Sequence, residues 1–239
     1  MMNVEHLKLV YPDGTCAVED LSLTLADGES VALVGANGAG KTSLLLSLVG
    51  VLGLAGGSIR VDEVTLGKKT LDEIRRRVGL VFQNPDDQLF MPVIREDVAF
   101  GPRNFSHSPE ETEKIVADTL ETLGISHLGD KSPTKMSGGE KRMAAIATVL
   151  AMDPRVMLFD EPTAFLDPRA RRKLIRLLNR LPHTKLIATH DLPFACEVCT
   201  RVVILQHGQI ATQGDPKTLL YDEALMDRCG MEAIGYMEE

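Results

Sequence analysis

Apolar and polar residues alternate over Val4–Val10 and again over Ala17–Leu25, with the turn Pro12-Asp13-Gly14 between them. A period of two sends one side of an extended chain to a core and the other to solvent, so both segments predict half-buried strands. The pattern then changes. Ser30–Val34 is a short, largely apolar run; a glycine-rich loop follows, then apolar residues at helical spacing over Thr42–Leu52. Strands are predicted again at Ser58–Val61 and Val78–Phe82. Beyond residue 84 the period is that of a helix: Ile115, Leu120 and Leu123, and later Met143, Ile146, Ala147 and Leu150. Strand patterns return at Val156–Phe159, Lys185–Thr189 and Val202–Leu205. Buried strands alternating with helices predict a largely parallel sheet covered on both faces. The expected fold class is α/β, with an antiparallel N-terminal part. One domain is expected: a core from 1–84 and 155–214, an inserted α-helical subdomain at 85–154, and a helical tail at 215–239, in which Pro216–Arg228 reads as helix.

Composition narrows the function classes. The chain has 239 residues, 44% of them hydrophobic and 25% charged, ample for a large buried core. Its net charge of -8 is spread along the sequence, which argues against a nucleic-acid partner, since phosphate binding needs clustered Lys and Arg. The longest apolar run, near Ala144–Met152, is broken by Thr148 and falls short of the ~20 residues a membrane span needs. The opening residues lack the basic start and apolar stretch of a signal peptide. Four cysteines do not make a disulfide framework. Cys196 and Cys199 form a CxxC without a second ligand pair, and read as helix residues facing a core in a reducing cytosol. Arg75, Arg76 and Arg77, and Arg169, Arg171, Arg172 and Lys173, read as solvated helix faces.

The chemistry starts at Gly35-Ala36-Asn37-Gly38-Ala39-Gly40-Lys41-Thr42-Ser43. It matches GxxxxGK[ST] and stands between a predicted strand and a predicted helix, the context of a phosphate-binding loop. Glycines let successive N–H groups turn onto phosphate oxygens, and the helix N-terminus adds partial positive charge. Lys41 can reach the β- and γ-phosphates, and Thr42 can offer its hydroxyl to Mg²⁺. A carboxylate for the metal comes from Val156-Met157-Leu158-Phe159-Asp160-Glu161, where Asp160 emerges at the end of a buried strand. Glu161 is placed to take a proton from an attacking water.

Further elements carry a resemblance to the ATP-binding cassette (ABC) family. Ser137-Gly138-Gly139-Glu140 resembles the family signature SGGQ, with Glu in place of Gln. Physically it is a helix N-terminus able to bind an anion, and also a capping box of Ser137 with Glu140. His190, after the strand 185–189, resembles the switch histidine that contacts the γ-phosphate. Gln83 resembles the glutamine that senses Mg²⁺ and the attacking water. Ala164-Phe165-Leu166-Asp167 looks like the D-loop, and Tyr11 like the aromatic that stacks on adenine. The resemblance spans nearly the whole chain and implies a P-loop ATPase using ATP and Mg²⁺. It also implies a nucleotide sandwiched between two cassettes, head to tail. A second copy of this chain, or a related ATPase, is then the expected partner, and integral membrane transporter subunits would hold the assembly at the cytoplasmic face of the membrane.

Val81-Phe82-Gln83-Asn84-Pro85-Asp86-Asp87-Gln88-Leu89-Phe90, with Glu96–Pro102 after it, looks like the energy-coupling factor branch of importers, which take up vitamins and transition-metal ions. The stretch Ser137–Pro154 looks closest to its cobalt and nickel members. Leu89, Phe90, Met91, Val93, Ile94 and Phe100 crowd beside Gln83, as local packing or as a groove for a partner helix. Two other classes fit the sequence less well. A soluble ABC ATPase of DNA or the ribosome usually has two cassettes or long coiled-coil insertions, which are not seen here. An adenylate-kinase-like or GTP-switch protein would share the P-loop but not the signature or His190.

Overall fold

The computed structural model describes residues 1–235. The alternating N-terminal segments form β1 (Met2–Val10) and β2 (Cys16–Leu25), paired antiparallel. Met2, Leu7, Leu21 and Leu25 lie on the buried side. Next come β3 (Ser30–Val34), buried at every position, and α1 (Lys41–Leu48). This helix is shorter than its periodicity predicts. Gly50 takes a left-handed φ of 66°, with Gly50 N–H donating to Ser47 O and Val51 N–H to Leu46 O, so the chain turns out of the helix. Strands β4 (Gly56–Val61) and β5 (Val64–Thr65) complete a first sheet of order β2-β1-β4-β5.

Helix α2 (Leu71–Arg77) leads into β6 (Val78–Val81). The predicted helical insertion then contains α3 (Ile94–Asn104), α4 (Pro109–Thr122) and α5 (Gly138–Leu150). After it come β7 (Val156–Asp160), α6 (Pro168–Arg180), β8 (Thr184–Ala188), α7 (Leu192–Val198), β9 (Arg201–Gln206) and β10 (Gln209–Gly214). The second sheet has the order β10-β9-β3-β8-β7-β6. All its pairings are parallel except that of β10, a polar edge strand the apolar pattern does not announce. One core lies between the two sheets around α1, with Leu21, Leu44, Ile59, Leu158 and Leu205. The other joins the opposite sheet face to the helical insertion, through Val81, Val98, Met143, Phe159 and Phe194.

Three expectations need correction. The tail is not one helix: α8 (Pro216–Leu219) and α9 (Glu223–Arg228) are separate, because Asp222 caps the second by accepting from Leu225 N–H. Beyond α9 the chain turns back, and Ile234 N–H donates to Leu220 O at 2.9 Å; residues 236–239 of the expected tail lie outside the described residues. The basic clusters are not simply solvated. Arg75 donates to Val49 O, Arg76 lies over the Phe105 ring, Arg77 pairs with Glu73 and Asp62, and Arg171 pairs with Asp191 and Glu197. Cys196 is half-buried in α7, whereas Cys199 is buried one residue past its end.

Gly79 of β6 is where the sheet and α5 meet most closely. A Cβ there would collide with Val149 and stand 3.4 Å from Pro154 Cγ. Gly79→Ala should therefore lower the unfolding free energy by ~1–3 kcal/mol in urea titrations, an overpacking cost.

Candidate active site

Parallel pairing brings the C-terminal ends of β3, β8, β7 and β6 to one edge, where residues 35–43, Gln83, Asp160, Glu161 and His190 follow them; Ser137–Glu140 lie elsewhere. The loop after β3 is tightly constrained. A Cβ on Gly35 would strike Leu205 O, and one on Gly40 would strike Ala17 O. Gly40 also holds a φ of 104°, which L side chains rarely adopt, and it caps α1 without a side chain of its own. The first turn of α1 has no acidic residue, which leaves its N-terminal field free for an anion. Asn37 and Gly38 form the exposed tip of the loop between half-buried Ala36 and buried Ala39, whose N–H is bonded to Ala36 O at 3.1 Å.

Lys41 is 8% exposed, and its ammonium donates to Gly35 O at 2.6 Å and Ala36 O at 3.3 Å. Burial lowers its pKa, while Glu161 and Asp160 act in the opposite direction. The lysine is thus folded back over its own loop, held by carbonyls a phosphate could replace. Thr42 is exposed at the helix start. Ser43 is buried, and the Tyr11 hydroxyl meets its Oγ at 2.8 Å, which anchors the Tyr11 ring beside the loop.

Asp160 ends β7. Its Oδ1 is buried without a hydrogen-bond partner. Desolvation, with the charge of Glu161, raises its pKa, opposed by the nearby Thr42 hydroxyl and by the charges of Lys41 and Arg142. An orphaned carboxylate oxygen beside a threonine hydroxyl fits a divalent cation, which would supply the missing partner and favour the ionised acid. Glu161 follows at a left-handed φ of 43°, a strained conformation for a residue with a side chain. Its backbone N–H donates to Ala188 O at 2.9 Å, and its carboxylate Oε2 accepts from His190 N–H at 3.2 Å and meets His190 Nδ1 at 2.8 Å. The His190 ring itself is 72% exposed, so Glu161 is fixed from behind while the imidazole faces outward.

Gln83 is exposed just past β6. Its backbone, rather than its side chain, is held: Arg142 donates to Phe82 O and Gln83 O, each at 2.6 Å. Arg142 was not singled out by sequence reasoning. It is 1% exposed, burial lowers its pKa to about 10, and the charge of Asp160 acts on it in the opposite sense. One side chain thereby joins α5, the Gln83 loop and Asp160. Gln88 was also missed. It accepts from Phe82 N–H at 3.0 Å and donates to Ala145 O and Thr148 Oγ1, both at 2.7 Å. The available signal was an arginine within an otherwise apolar helix face, Ala145, Ile146 and Val149.

Ser137, Gly138, Gly139 and Glu140 start α5, and both halves of the expected capping box form. Ser137 Oγ accepts from Glu140 N–H at 3.3 Å, and Glu140 Oε2 accepts from Ser137 N–H at 2.7 Å. Glu140 Oε1 accepts from Lys131 at 3.0 Å. These contacts hold its pKa down to about 2, the backbone bond from Ser137 contributing most. The Glu in place of Gln is therefore charged, but its charge is met within the chain. The Ser137 hydroxyl hydrogen stays free to donate, as do the N–H groups of the first helical residues Gly138 and Gly139. Gly139 is required by packing, since a Cβ would come within 2.9 Å of Ala170 Cβ; Gly138 has ordinary space around it. This turn lines a cleft with Leu166 and Asp167, separate from the cleft of Gly35, Asn37 and His190. The chain thus presents two helix starts with unpaired N–H groups on different clefts.

Comparisons with known proteins agree with this layout. The ABC transporter family profile matches residues 18–164. A Geobacter sulfurreducens protein named as an ABC transporter ATP-binding protein is 47% identical over 97% of this chain and 93% of its own length. The energy-coupling factor transporter ATP-binding protein EcfA of Methanothermobacter thermautotrophicus is 42% identical over 97% of this chain and 76% of its own. The structure of CbiO1 from Clostridium perfringens, part of the ABC transporter complex CbiONQ, superimposes with a TM-score of 0.84 at 36% identity, covering 95% and 93% of the two chains. A dimeric ATP-binding cassette in a post-hydrolysis state with ADP and phosphate superimposes with a TM-score of 0.80 at 26% identity, covering 90% and 99%.

The Glu140 contacts set a pH dependence. A carboxylate held below its unfolded pKa stabilises the fold above that value, and the contribution is lost as pH falls from about 4.5 towards about 2. Thermal unfolding of the wild type and of Glu140→Gln should differ by ~0.5–1 kcal/mol near neutral pH. The gap should close across that acid window.

Proposed function

The chain belongs to the ABC transporter family and is the ATP-binding, ATP-hydrolysing subunit of such a transporter, and on that premise we propose that it energises an importer of the energy-coupling factor type that carries cobalt or nickel ions. Likeness to EcfA and to CbiO1 supports the importer branch, and the metal cargo is suggested by the resemblance of Ser137–Pro154 to the cobalt and nickel members. The observation that carries the hydrolytic reading is the Glu161–His190 contact at the strand edge shared with Lys41 and Asp160.

The proposed roles follow from position. Lys41 leaves its loop carbonyls for the β- and γ-phosphates, and the N–H groups of residues 35–43 surround the β-phosphate. Tyr11 offers its ring to the adenine. Asp160, Thr42 and Gln83 would hold Mg²⁺, which when bound neutralises charge between the β- and γ-phosphates. Glu161 accepts a proton from water, whose oxygen attacks the γ-phosphorus as the bond to the leaving ADP oxygen breaks. His190 fixes the Glu161 carboxylate through its main chain and Nδ1, and its exposed ring reaches the γ-phosphate. Ser137, Gly138 and Gly139 of a second cassette, head to tail, close the same triphosphate from the other side, with Glu140 capping that turn. Membrane-embedded subunits then couple closure to transport.

Two variants test the roles separately. Glu161→Gln should reduce kcat by roughly two to four orders of magnitude while ATP still binds; unchanged steady-state hydrolysis would remove Glu161 from the base role. Lys41→Ala should weaken nucleotide binding by roughly ten- to a hundredfold in calorimetry, the loss of a charge-assisted contact. The importer assignment is tested by capture from membranes: integral membrane subunits should come down with the chain, and cobalt or nickel uptake should require it.

A further inference from the structure

Arg142 takes a charge into the molecule and bonds it to no carboxylate among the described residues. It is 1% exposed, and its hydrogen bonds there go to two main-chain oxygens, Phe82 O and Gln83 O, each at 2.6 Å. Its Nε is buried without a partner. Around it α5 is apolar and buried, with Met143, Ala145, Ile146 and Val149 in the core. A buried charge of this kind is weak evidence of stabilisation, and the place where its two bonds fall gives it another use.

Those bonds fall on the main chain of a residue whose side chain nothing else places. Gln83 stands just past β6 with its side chain exposed, and among the described residues its amide has no hydrogen-bond partner. Its position is therefore set by its backbone. Other ties join this loop to α5, but they fall to either side. Gln88 accepts from Phe82 N–H at 3.0 Å and donates to Ala145 O and Thr148 Oγ1, and Lys141 pairs with Asp86 at 2.6 Å. Among the described residues, only Arg142 reaches the Gln83 carbonyl. A planar guanidinium can hold two acceptors in one fixed relation, which a single ammonium cannot. The register supports the same geometry: Val81 of β6 lies opposite Phe159 of β7, so Gln83 and Asp160 leave neighbouring parallel strands at one edge.

We propose that Arg142 is a positioning residue for hydrolysis: by holding the carbonyls of Phe82 and Gln83 it fixes where the Gln83 amide meets the metal and the attacking water. The proposal rests on the reading of Gln83 given above, and adds to it a residue that touches neither nucleotide nor metal. Without the guanidinium fork the amide samples a wider range of main-chain positions. Fewer bound complexes are then aligned for attack, while nucleotide binding, carried by residues 35–43, is kept.

Arg142→Lys tests this, since it keeps the buried charge and the apolar stem but not the fork. Its affinity for ADP in calorimetry and its KM for ATP should stay within threefold of the parent, while kcat falls at least tenfold. In nucleotide-free protein, hydrogen exchange at the Phe82 amide should quicken at least tenfold. Adding Arg142→Lys to Gln83→Ala should change kcat by less than twofold, since both variants remove one action. Arg142→Met, which leaves no buried charge, should behave alike in the same cycle and replaces the lysine variant if that one does not fold. A parental kcat, unchanged exchange, or losses that multiply in the double variant overturn the proposal and leave the role of Gln83 intact. Unfolding of both Arg142 variants, or an ADP affinity that falls as far as kcat, marks the arginine as structural and overturns it as well. A Gln83→Ala protein with parental kcat overturns both.

Discussion

A triphosphate needs more positive field than one loop supplies, and the fold meets that demand at the shared edge of its parallel strands. There the start of α1, the ammonium of Lys41 and the guanidinium of Arg142 surround the carboxylates of Asp160 and Glu161. None of these buried charges is comfortable alone. Burial pushes Lys41 and Arg142 down and Asp160 up, and each is partly restored by its neighbours. The orphaned Asp160 Oδ1 and the lysine folded onto its own carbonyls fit a site that takes a divalent cation and a phosphate.

Arg142 links this edge to the rest of the molecule. It stands on the helix that begins with the signature turn, and it grips the two carbonyls of the Gln83 loop. Gln88 ties the same loop to the same helix. The helical insertion is therefore tied to the Gln83 loop, beside which Phe90 and Phe100 pack edge to face at 5.1 Å, the first ring 63% and the second 42% exposed. Arg142 and Gln88 thus join the phosphate edge to that surface by direct contacts; the crowding expected there is local packing in the case of Leu89 and Ile94, which are buried, whereas Phe90 stays exposed.

Much of this was legible in the sequence because its causes are local. Gly35, Gly40 and Lys41 are specified by spacing, and β3, β7 and β8 by short apolar runs. The capping box of Ser137 and Glu140 is equally local, and formed as expected. What escaped depends on contacts across the fold. The end of α1 turned on Gly50 adopting a positive φ, and the division of the tail on Asp222 and the return of Ile234. Arg142 was not singled out because its partners lie about sixty positions away, and Arg75 and Arg171 likewise found partners beyond their own helices. The edge strand β10 exposes Gln209, Ala211 and Gln213 on alternate positions and carries no apolar run to announce it.

The account stands on one triphosphate gripped by loops from two chains. A crystal structure of the ATP-loaded Glu161→Gln protein tests this most directly. The account predicts the Ser137 hydroxyl and the first N–H groups of α5 from one copy within hydrogen-bonding distance of γ-phosphate oxygens that Lys41 of the other copy also contacts. A nucleotide bound by residues 35–43 with every Ser137 turn facing solvent or protein instead would contradict it.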